Sequence, residues 1–410
     1  MNLIYIRFAF PFPNEPGSKR PLKIVERYGA KGDQITVITS NCNYMTGEKI
    51  RHEGGWFNEK VENGVRYIWV AAISGYRNSM RRRLLNYSLF TLLSLIVGWR
   101  VSQRENGKTT IMVDISPPFV ALVGYFLSYL QARSNLVLEI TDLPESVFEL
   151  KMFNKPFLRR LTDWVFRHIY RRADHIVTLT PGAKRHIEEL VISGAKITTV
   201  ANWIEPGGIG KVPEETIKEI RQRHGWQDQF VVMYAGGHGK AYDLMTLIGA
   251  GELLQDEKNL KIVFMGTGER KAEYQAYCRA KDLQVCEFIN PVPRNLLAPY
   301  LSCADVCVNL FYKGDFWNKV IGHKIIDYFE AGRPIIFAGD GDTADIIRNA
   351  SGGIVVPPEA PKALSEAILK MMSSDREETR KMGDRGYAYL QEAYDKETML
   401  RQLDLLLEKL

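Results

Sequence analysis

Short apolar runs alternate with longer segments of helical period along the whole chain. Each run has about four to seven residues, the usual length of a strand that is buried on both faces of a parallel sheet. Strands and helices in regular alternation predict an α/β fold. We predict strands over residues 2–7, 34–39, 65–70, 110–114, 136–140, 175–179, 197–201, 230–235, 260–265, 285–288, 305–310, 334–338 and 353–356.

The alternation is interrupted at residues 202–210, where glycine and proline are frequent. A chain of 410 residues exceeds the roughly 250 to 300 residues that one core accommodates, so the interruption predicts a hinge between two lobes. We predict doubly wound lobes over 1–203 and 204–390, and a final helix in 391–410 that packs back on the first lobe. Such sheets bind ligands at the carboxyl ends of their strands, so we expect the site in a cleft between the lobes.

One predicted helix has an unusual composition. It begins with Arg81, Arg82 and Arg83 and continues in a largely apolar stretch from Leu84 to Trp99. That stretch is short and rather polar for a membrane span. Two interpretations stay open: an interfacial helix whose arginines contact an anionic membrane, or a core helix with a solvated basic start.

Composition and charge narrow the class of protein. The net charge of +6 is compatible with anionic partners without specifying one, and we expect no nucleic-acid partner. Five cysteines and the absence of a secretory pattern favour the cytoplasm. Cys303 and Cys307 are four residues apart, but no second pair at zinc spacing accompanies them, so we expect buried thiols and no metal site.

The strongest local motif is a glycine-rich loop after the strand predicted at 230–235. A helix is predicted to follow it, so backbone N–H groups could converge on a phosphate there. The loop lacks the P-loop pattern, and a tight turn that needs only backbone freedom explains its glycines equally well. Its candidate phosphate ligands are Gly236, Gly237, His238, Gly239 and Lys240.

Two further loops join a strand to a helix in the second lobe. Gly266 and Gly268 lie in one of them, and the other precedes Lys324 and Asp327, which share a helix face. Lys324 could hold a phosphate while Asp327 accepts hydrogen bonds from ribose hydroxyl groups. The alternative is an ion pair between the two on a solvated surface. The loop with Gly266 and Gly268 lacks the complete dinucleotide-binding motif, which argues against redox chemistry.

Together these segments resemble the retaining glycosyltransferases of the two-lobed GT-B fold, in their family-four-like group. Residues 234–241 resemble the glycine-rich donor loop of that group, and 265–269 resemble its next loop. Residues 304–308 are similar to its A-D-V strand, and 324–334 are similar to its segment K-L-F-E-Y-M-A-A-G-K-P. The first lobe resembles the branch that builds bacterial surface polysaccharides. The segments that carry this resemblance are 116–122, 139–146, 172–178 and 200–202.

The resemblance implies transfer of a sugar from a nucleotide diphosphate donor to an acceptor hydroxyl, with retention and without a cofactor or metal. It implies an acceptor-binding first lobe for a glycan or polyprenyl-linked acceptor, and a donor-binding second lobe. The enzyme would act in the cytoplasm, at or near the inner face of the cell membrane. The implied donor-binding residues are Gly17, Gly236, Gly237, His238, Gly239, Gly266, Gly268, Val292, His323 and Asp327.

Four side chains are candidates for the chemistry and the acceptor. We expect Lys240 and Lys324 to stabilise the leaving diphosphate. Asp142, at the end of a predicted strand, is the candidate acceptor base, although a helix cap explains it equally well. Arg20 ends the loop 14–20, which we expect to contact phosphate, acceptor or membrane, the alternative being a solvated turn.

Departures from the family pattern limit these implications. The first of the family's two paired acids is replaced by Lys319, and only the second, Asp327, remains. Asp315 or a backbone loop is the candidate replacement for contacting the donor sugar. The family's diphosphate-binding Arg and Lys fall on Gly237 and Tyr242. A catalytically silent partner or regulator that binds a nucleotide sugar, or a sugar-nucleotide epimerase, is therefore an alternative.

Overall fold

The structure is a computed structural model that divides into two compact units. One unit contains residues 1–201 together with 400–410, and the other contains residues 202–399. The structure describes residues 1–11, 19–43, 47–49, 55–76, 79–104, 107–131, 133–144, 156–191, 196–204, 212–240, 242–322 and 324–410, with only the backbone of Leu158 and Arg159.

An eight-stranded sheet forms the centre of the first unit. Its order is β3-β4-β2-β1-β5-β6-β7-β8, with β3 antiparallel to β4 and all other neighbours parallel. The strands are β1 (Asn2–Ile6), β2 (Gln34–Ser40), β3 (Phe57–Glu62), β4 (Val65–Val70), β5 (Thr109–Asp114), β6 (Ser134–Ile140), β7 (His175–Thr178) and β8 (Ile197–Thr199). The helices are α1 (Arg20–Ala30), α2 (Met80–Ser102), α3 (Ala121–Leu130), α4 (Pro156–Arg172) and α5 (Pro181–Val191).

The central strands of this sheet are buried on both faces. Ile4 of β1, for example, pairs with Thr36 of β2 on one side and with Ile111 of β5 on the other. Strands buried in this way read as continuous apolar runs, which is why the sequence predicts them. The sequence analysis missed β3, because this edge strand is mostly exposed and polar.

Six parallel strands form the sheet of the second unit, in the order β11-β10-β9-β12-β13-β14. When β9 is counted as strand 1, the order is 3-2-1-4-5-6, as in doubly wound nucleotide-binding sheets. Such sheets bind ligands where the strand order reverses. Here the reversal lies between β9 and β12. The strands are β9 (Phe230–Ala235), β10 (Leu260–Met265), β11 (Cys286–Ile289), β12 (Val306–Leu310), β13 (Ile335–Ala338) and β14 (Gly353–Val356). The helices are α6 (Glu214–His224), α7 (Leu244–Leu253), α8 (Lys271–Ala280), α9 (Arg294–Ser302), α10 (Lys324–Glu330), α11 (Asp342–Asn349), α12 (Pro361–Ser373) and α13 (Arg376–Ala393).

Alternate residues of each strand point to opposite faces of the second sheet and fill two cores. Val232 and Val308 pack on one face with residues of α7 and α12. Met233 and Cys307 pack on the other face with residues of α10 and α11. The predicted fold class of two doubly wound parallel-sheet lobes is confirmed, and each predicted strand overlaps an observed one.

The last helix, α14 (Lys396–Leu407), begins in the second unit and ends in the first. Before it, the backbone N–H of Ile204 donates to the carbonyl oxygen of Tyr394 at 3.0 Å, so both chain connections leave the second unit from one place. In the first unit, Asp404 forms ion pairs with Arg27 at 2.8 Å and with Lys31 at 3.0 Å. The units divide after residues 201 and 399, whereas the sequence analysis placed the divisions after 203 and 390.

Candidate active site

Helix α10 is fixed to the carboxyl end of β9 by Tyr328. Its hydroxyl accepts a hydrogen bond from the backbone N–H of Ala235 at 3.0 Å and donates one to the carbonyl oxygen of Ala235 at 3.2 Å. Lys324 lies one turn earlier in α10, which carries its side chain over Gly236, the first residue of the glycine-rich loop. A Cβ atom on Gly236 would lie 2.1 Å from Lys324 Cε, so a side chain at this position would displace the lysine.

The ammonium group of Lys324 faces two aromatic rings. Its Nζ atom lies 3.2 Å from the ring centroid of Tyr242 and 5.4 Å from that of Tyr234. Burial lowers the pKa of Lys324 to about 7, although the charge of Asp327 acts in the opposite direction. The alternative of a solvated ion pair between Lys324 and Asp327 is therefore wrong. Lys324 is a partly buried cation that rings stabilise only in part.

Asp327 pairs with a residue of a different helix. Nη2 of Arg294, the first residue of α9, lies 2.6 Å from Asp327 Oδ1. Arg294 is largely exposed, so solvent screens this pair. The loop before α9 contains Val292, which packs partly buried against the core. The ion pair therefore links the start of α9 to α10. Sequence reasoning did not find Arg294, since no local pattern links it to a residue 33 positions away.

The loops that follow β9 and β10 are joined by backbone hydrogen bonds. The N–H of Gly236 donates to the carbonyl oxygen of Met265 at 2.9 Å, and the N–H of His238 donates to that of Thr267 at 2.9 Å. The N–H of Arg270 donates back to the carbonyl oxygen of His238 at 3.0 Å. The two glycine-containing loops thus continue the pairing of their strands.

Gly266 and Gly268 allow this close approach. A Cβ atom on Gly266 would lie 1.9 Å from the carbonyl oxygen of Gly236. One on Gly268 would lie 2.5 Å from the carbonyl oxygen of His238. Close packing of the two loops therefore explains why glycine occupies both positions, without a ligand.

The phosphate cradle predicted from the glycine-rich loop is incomplete. The N–H groups of Gly236 and His238 already donate to backbone carbonyl groups, which leaves those of Gly237 and Gly239 as candidate phosphate donors. The prediction that all four N–H groups converge on phosphate is wrong, because pairing of the two loops engages half of them.

The charges around this loop include a buried acid and an exposed lysine. Asp243 precedes α7, is buried, and accepts a hydrogen bond from the Thr246 hydroxyl. A carboxyl group at a helix start opposes binding of a second anion there. Lys240 is 77% exposed and its Nζ lies 3.9 Å from Glu269 Oε1. Of Lys240 and Lys324, Lys324 is therefore the one that the fold holds in a defined position.

His238 lies inside the second unit. Its ring is fully buried, with centroids 6.0 Å from that of Tyr234 and 6.1 Å from that of Phe288. Burial lowers the pKa of His238 to about 4, so the ring is neutral at physiological pH. Both ring nitrogens are buried without a hydrogen-bond partner among the described residues, and a contact of His238 with the donor stays a prediction. Gly17 and His323, which the sequence analysis also selected, lie outside the described residues.

Lys319, at the position of the family's missing acid, pairs with the proposed replacement. Its Nζ lies 2.6 Å from Oδ2 of Asp315, one turn earlier in the chain. Lys319 is mostly buried and Asp315 is exposed. The carboxylate of Asp315 thus already has a cationic neighbour.

A network of buried charges lies at the carboxyl ends of β1, β5 and β6 in the first unit. Arg7 Nη1 lies 2.5 Å from Asp114 Oδ2 and 3.7 Å from Glu139 Oε2, and the Tyr5 hydroxyl contacts the same Glu139 oxygen. Arg20 Nε donates to Glu139 Oε1 at 2.8 Å. Burial raises the pKa of Asp114 to about 6, and the charge of Arg7 partly offsets this. The sequence analysis did not find this network.

Arg20 belongs to this interior network. It is buried, and its Nη1 donates to the carbonyl oxygen of Ala201 at 2.8 Å. Its expected contact with a membrane is therefore wrong, because its donors face the protein interior. Asp142, by contrast, is exposed and accepts a hydrogen bond from the Ser116 hydroxyl at 3.3 Å. Asp142 follows β6, and Ser116 follows the adjacent strand β5.

The basic helix start predicted at 80–83 is the start of α2. Arg81 and Arg82 are exposed and Arg83 is half-buried. By length and composition alone α2 is apolar enough to cross a membrane, and 39% of its apolar window is buried. Phe90 and Val97 are buried residues of its inner side. A core role is therefore observed for one side of α2, and membrane contact stays a prediction.

The cysteines have the buried environment that the sequence analysis expects. Cys303 and Cys307 are both buried, and burial raises the pKa of Cys303 to about 11. Thiols with a raised pKa are poor nucleophiles and poor metal ligands. Within the described ranges, no group of three His, Cys, Asp or Glu side chains is arranged to hold a metal ion.

Two family models match the chain in the order of its units. Residues 18–203 match the model "Glycosyl transferase 4-like domain", and residues 216–389 match "Glycosyl transferases group 1". A curated relative, the alpha-D-kanosaminyltransferase of Streptomyces kanamyceticus, is 21% identical over 253 residues, or 60% of this chain. That match spans 64% of the relative, which is less than two thirds of its length.

Solved structures of similar fold cover the whole chain. A sucrose-phosphate synthase from Thermosynechococcus elongatus has a TM-score of 0.75 and 15% identity, over 100% of this chain and 98% of that one. HepE of Anabaena, in complex with UDP, has a TM-score of 0.71 and 14% identity over 100% of both chains. Both domain matches and the two doubly wound sheets lead to one assignment. The chain belongs to the glycosyltransferases of the GT-B fold, with a glycosyl transferase 4-like domain followed by a domain of glycosyl transferases group 1.

Proposed function

We propose that the protein transfers a sugar from a nucleoside diphosphate sugar to an acceptor hydroxyl, with retention at the anomeric carbon. The observation that carries this proposal is the position of Lys324. Its ammonium group is partly buried at the switch point of the second sheet, where it faces two aromatic rings. A diphosphate would give this cation the negative partner that the rings replace only in part.

In the proposed reaction, the bond between the anomeric carbon and the β-phosphate oxygen breaks, and its electron pair leaves with the diphosphate. The acceptor oxygen forms its bond on the same face of the sugar and loses its proton, for which Asp142 is the proposed acceptor. Lys324 stabilises the developing charge of the leaving group. The N–H groups of Gly237 and Gly239 and the mobile ammonium of Lys240 are the proposed additional donors.

The proposed reaction requires neither a cofactor nor a metal. Lysine side chains and backbone N–H groups balance the phosphate charge. Donors at fixed positions stabilise such charge effectively in a partly desolvated site. Activity that survives a chelator would support this part of the proposal, and activity that returns only with added magnesium would contradict it.

The nucleoside of the donor is proposed to bind beside the diphosphate. Asp327 accepts hydrogen bonds from the ribose hydroxyl groups, and the backbone around Val292 contacts the base. HepE of Anabaena is known in complexes with UDP and with UDP-glucose, which makes UDP the first nucleotide to test.

We propose a glycan or polyprenyl-linked acceptor, of the kind used in polysaccharide synthesis, at the cytoplasmic face of a membrane. The support is the exposed pair Arg81 and Arg82 at the start of α2, a helix apolar enough to enter a bilayer interface. An acceptor that stays in the bilayer requires the enzyme to reach the bilayer surface.

The proposed donor chemistry is tested with a panel of nucleoside diphosphate sugars. Thermal shift identifies the donors that bind, since a ligand of the native state raises the melting temperature. Release of the nucleoside diphosphate from those donors then measures turnover. A donor that binds and is cleaved by the wild-type chain, but not by Lys324→Ala, supports the proposal.

A second candidate is a catalytically silent chain that binds a nucleotide sugar. It is favoured by Lys319, which replaces the first acid of the family and is paired with Asp315. Donor binding without release of nucleoside diphosphate, with every acceptor tried, would favour this candidate. Interconversion of the donor sugar without an acceptor would instead indicate an epimerase.

A further inference from the structure

Helix α2 carries large apolar residues on its solvent-facing side. Leu85, Leu92, Ile96 and Trp99 are exposed, and their spacing places them on one side of the helix. A surface helix normally carries polar residues on that side. The opposite side of α2 packs on the sheet, so burial in the core does not explain the exposed apolar residues.

The neighbouring helix α3 continues this exposed apolar side. Phe126, Tyr129 and Leu130 are exposed near its carboxyl end. The two helices are in close contact, since a Cβ atom on Gly98 of α2 would lie 2.8 Å from Leu127 Cδ1 of α3. Helix α3 contains no charged residue.

Helix α4 adds a third row of exposed apolar residues. Phe157, Leu161 and Trp164 are exposed at spacings of four and three residues, which places them on one helix face. Arg172 joins α4 to α3: its Nη2 donates to the Ser128 carbonyl oxygen at 2.6 Å. We call the exposed sides of α2, α3 and α4 the three-helix surface.

Basic residues predominate in the three helices of this surface. The sequences of α2, α3 and α4 contain nine arginines, four in α2 and five in α4, and one acidic residue, Asp163. Arg81, Arg100 and Arg171 are exposed beside the apolar rows. Exposed aromatic and aliphatic side chains beside arginines are typical of surfaces that enter the interface of an anionic bilayer.

We propose that the three-helix surface binds an anionic lipid bilayer, with the apolar rows of all three helices in the interface. This deepens the lipid-linked acceptor of the proposed function, because it extends the contact beyond the basic start of α2. A second copy of the chain fits poorly. A symmetric dimer through this surface would bring two basic surfaces together, and like charges across an interface are unfavourable.

The inner side of α2 supports an interfacial position over a membrane span. Phe90 is fully buried, and the carboxamide oxygen of Asn86 accepts a hydrogen bond from the backbone N–H of Ile73 at 2.7 Å. If α2 crossed a membrane, this hydrogen bond would break and the buried side chains of α2 would lose their contacts with the rest of the unit. The surface therefore lies on the bilayer without crossing it.

The test is flotation of the full-length protein with vesicles, without donor. Vesicles of phosphatidylglycerol and phosphatidylcholine are compared with vesicles of phosphatidylcholine alone. The variant Leu92→Gln/Leu161→Gln removes apolar contacts from two helices of the surface. Its matched control, Leu253→Gln/Leu369→Gln, makes the same change at exposed leucines of the second unit.

We expect the wild type and the control to bind the anionic vesicles, and to bind less at high salt. The surface variant should bind about tenfold more weakly or worse, because two exposed leucines no longer enter the interface. Equal binding of the two double variants, or no binding by the wild type at low salt, overturns the proposal. A dimer that the surface variant dissociates would also overturn it. Release of nucleoside diphosphate from a soluble donor is measured separately, so failure of the proposed transfer reaction is distinguishable from failure of membrane binding.

Discussion

The Tyr242 ring holds the Lys324 ammonium at 3.2 Å from its centroid, at the position where the resembled family carries a second cation. A cation over an aromatic ring gains roughly 0.5–2 kcal/mol, far less than full hydration or a paired anion provides. The lysine is therefore positioned before any ligand binds, and its charge is only partly satisfied. Two testable consequences of this arrangement concern catalysis and pH.

Replacing Lys324 should affect turnover far more than folding. We expect Lys324→Ala to lower turnover of a nucleoside diphosphate sugar by about a hundredfold, because a fixed donor to the leaving charge is lost. The melting temperature should not fall, since the removed ammonium is poorly solvated. Lys281→Ala, at an exposed lysine paired with Glu252, is the matched control and should leave turnover unchanged. An unchanged rate in Lys324→Ala would remove this residue from the mechanism.

Affinity for the nucleoside diphosphate should depend on pH through Lys324. Its pKa of about 7 in the free protein means that the ammonium form is lost as the pH rises above this value. Bound diphosphate favours the charged form, so binding takes up a proton and affinity falls by up to about tenfold per pH unit. Calorimetry above neutral pH, in buffers of different ionisation enthalpy, measures this uptake. Lys324→Arg stays charged and should show a flat profile, and a flat profile in the wild type would contradict the assignment.

The proposed contact of Asp327 with ribose can be separated from its ion pair with Arg294. We expect Asp327→Ala to weaken binding of a nucleoside diphosphate by about tenfold, the loss typical for a charged hydrogen-bond acceptor. A nucleoside diphosphate whose sugar lacks both hydroxyl groups should bind the wild type and Asp327→Ala equally. Arg294→Ala breaks the ion pair but keeps the acceptor, so its affinity for the normal nucleotide should not fall. Equal affinities of Asp327→Ala and the wild type for the normal nucleotide would place the ribose elsewhere.

The close approach of the two glycine-containing loops predicts opposite results for two glycine variants. Gly266→Ala puts a Cβ atom 1.9 Å from the Gly236 carbonyl oxygen and should lower the free energy of unfolding by about 2 kcal/mol or more. At Gly239 a Cβ atom meets nothing within 4 Å, so Gly239→Ala should change stability by less than about 0.5 kcal/mol. Urea denaturation compares the two, and similar losses would show that loop packing does not explain Gly266.

The fold was predictable because buried parallel strands leave a strong local pattern. The strand predicted at 230–235 is observed as Phe230–Ala235. Strand β3 was missed because an exposed edge strand has no apolar run. The sequence pattern therefore predicts a strand correctly where burial alone determines which residue types the strand contains.

The candidate site was predictable only in part, since its contacts join residues that are distant in the chain. Lys324 was found from its motif, but its contact with Tyr242 depends on Tyr328, which fixes α10 to β9. Hydrogen bonds between loops engage the N–H groups of Gly236 and His238, and no local pattern reports them. The sequence alone does not distinguish a glycine that contacts a phosphate from one that packs against a neighbouring loop.

The path of α14 makes the second unit a nested domain, inserted into the sequence of the first. Its two ends are adjacent, because Ile204 and Tyr394 are hydrogen-bonded to each other. Removing the last eleven residues of the chain would therefore damage the unit that begins the sequence, where Asp404 pairs with Arg27. We therefore expect residues 202–399, whose ends lie close together, to tolerate excision or circular permutation.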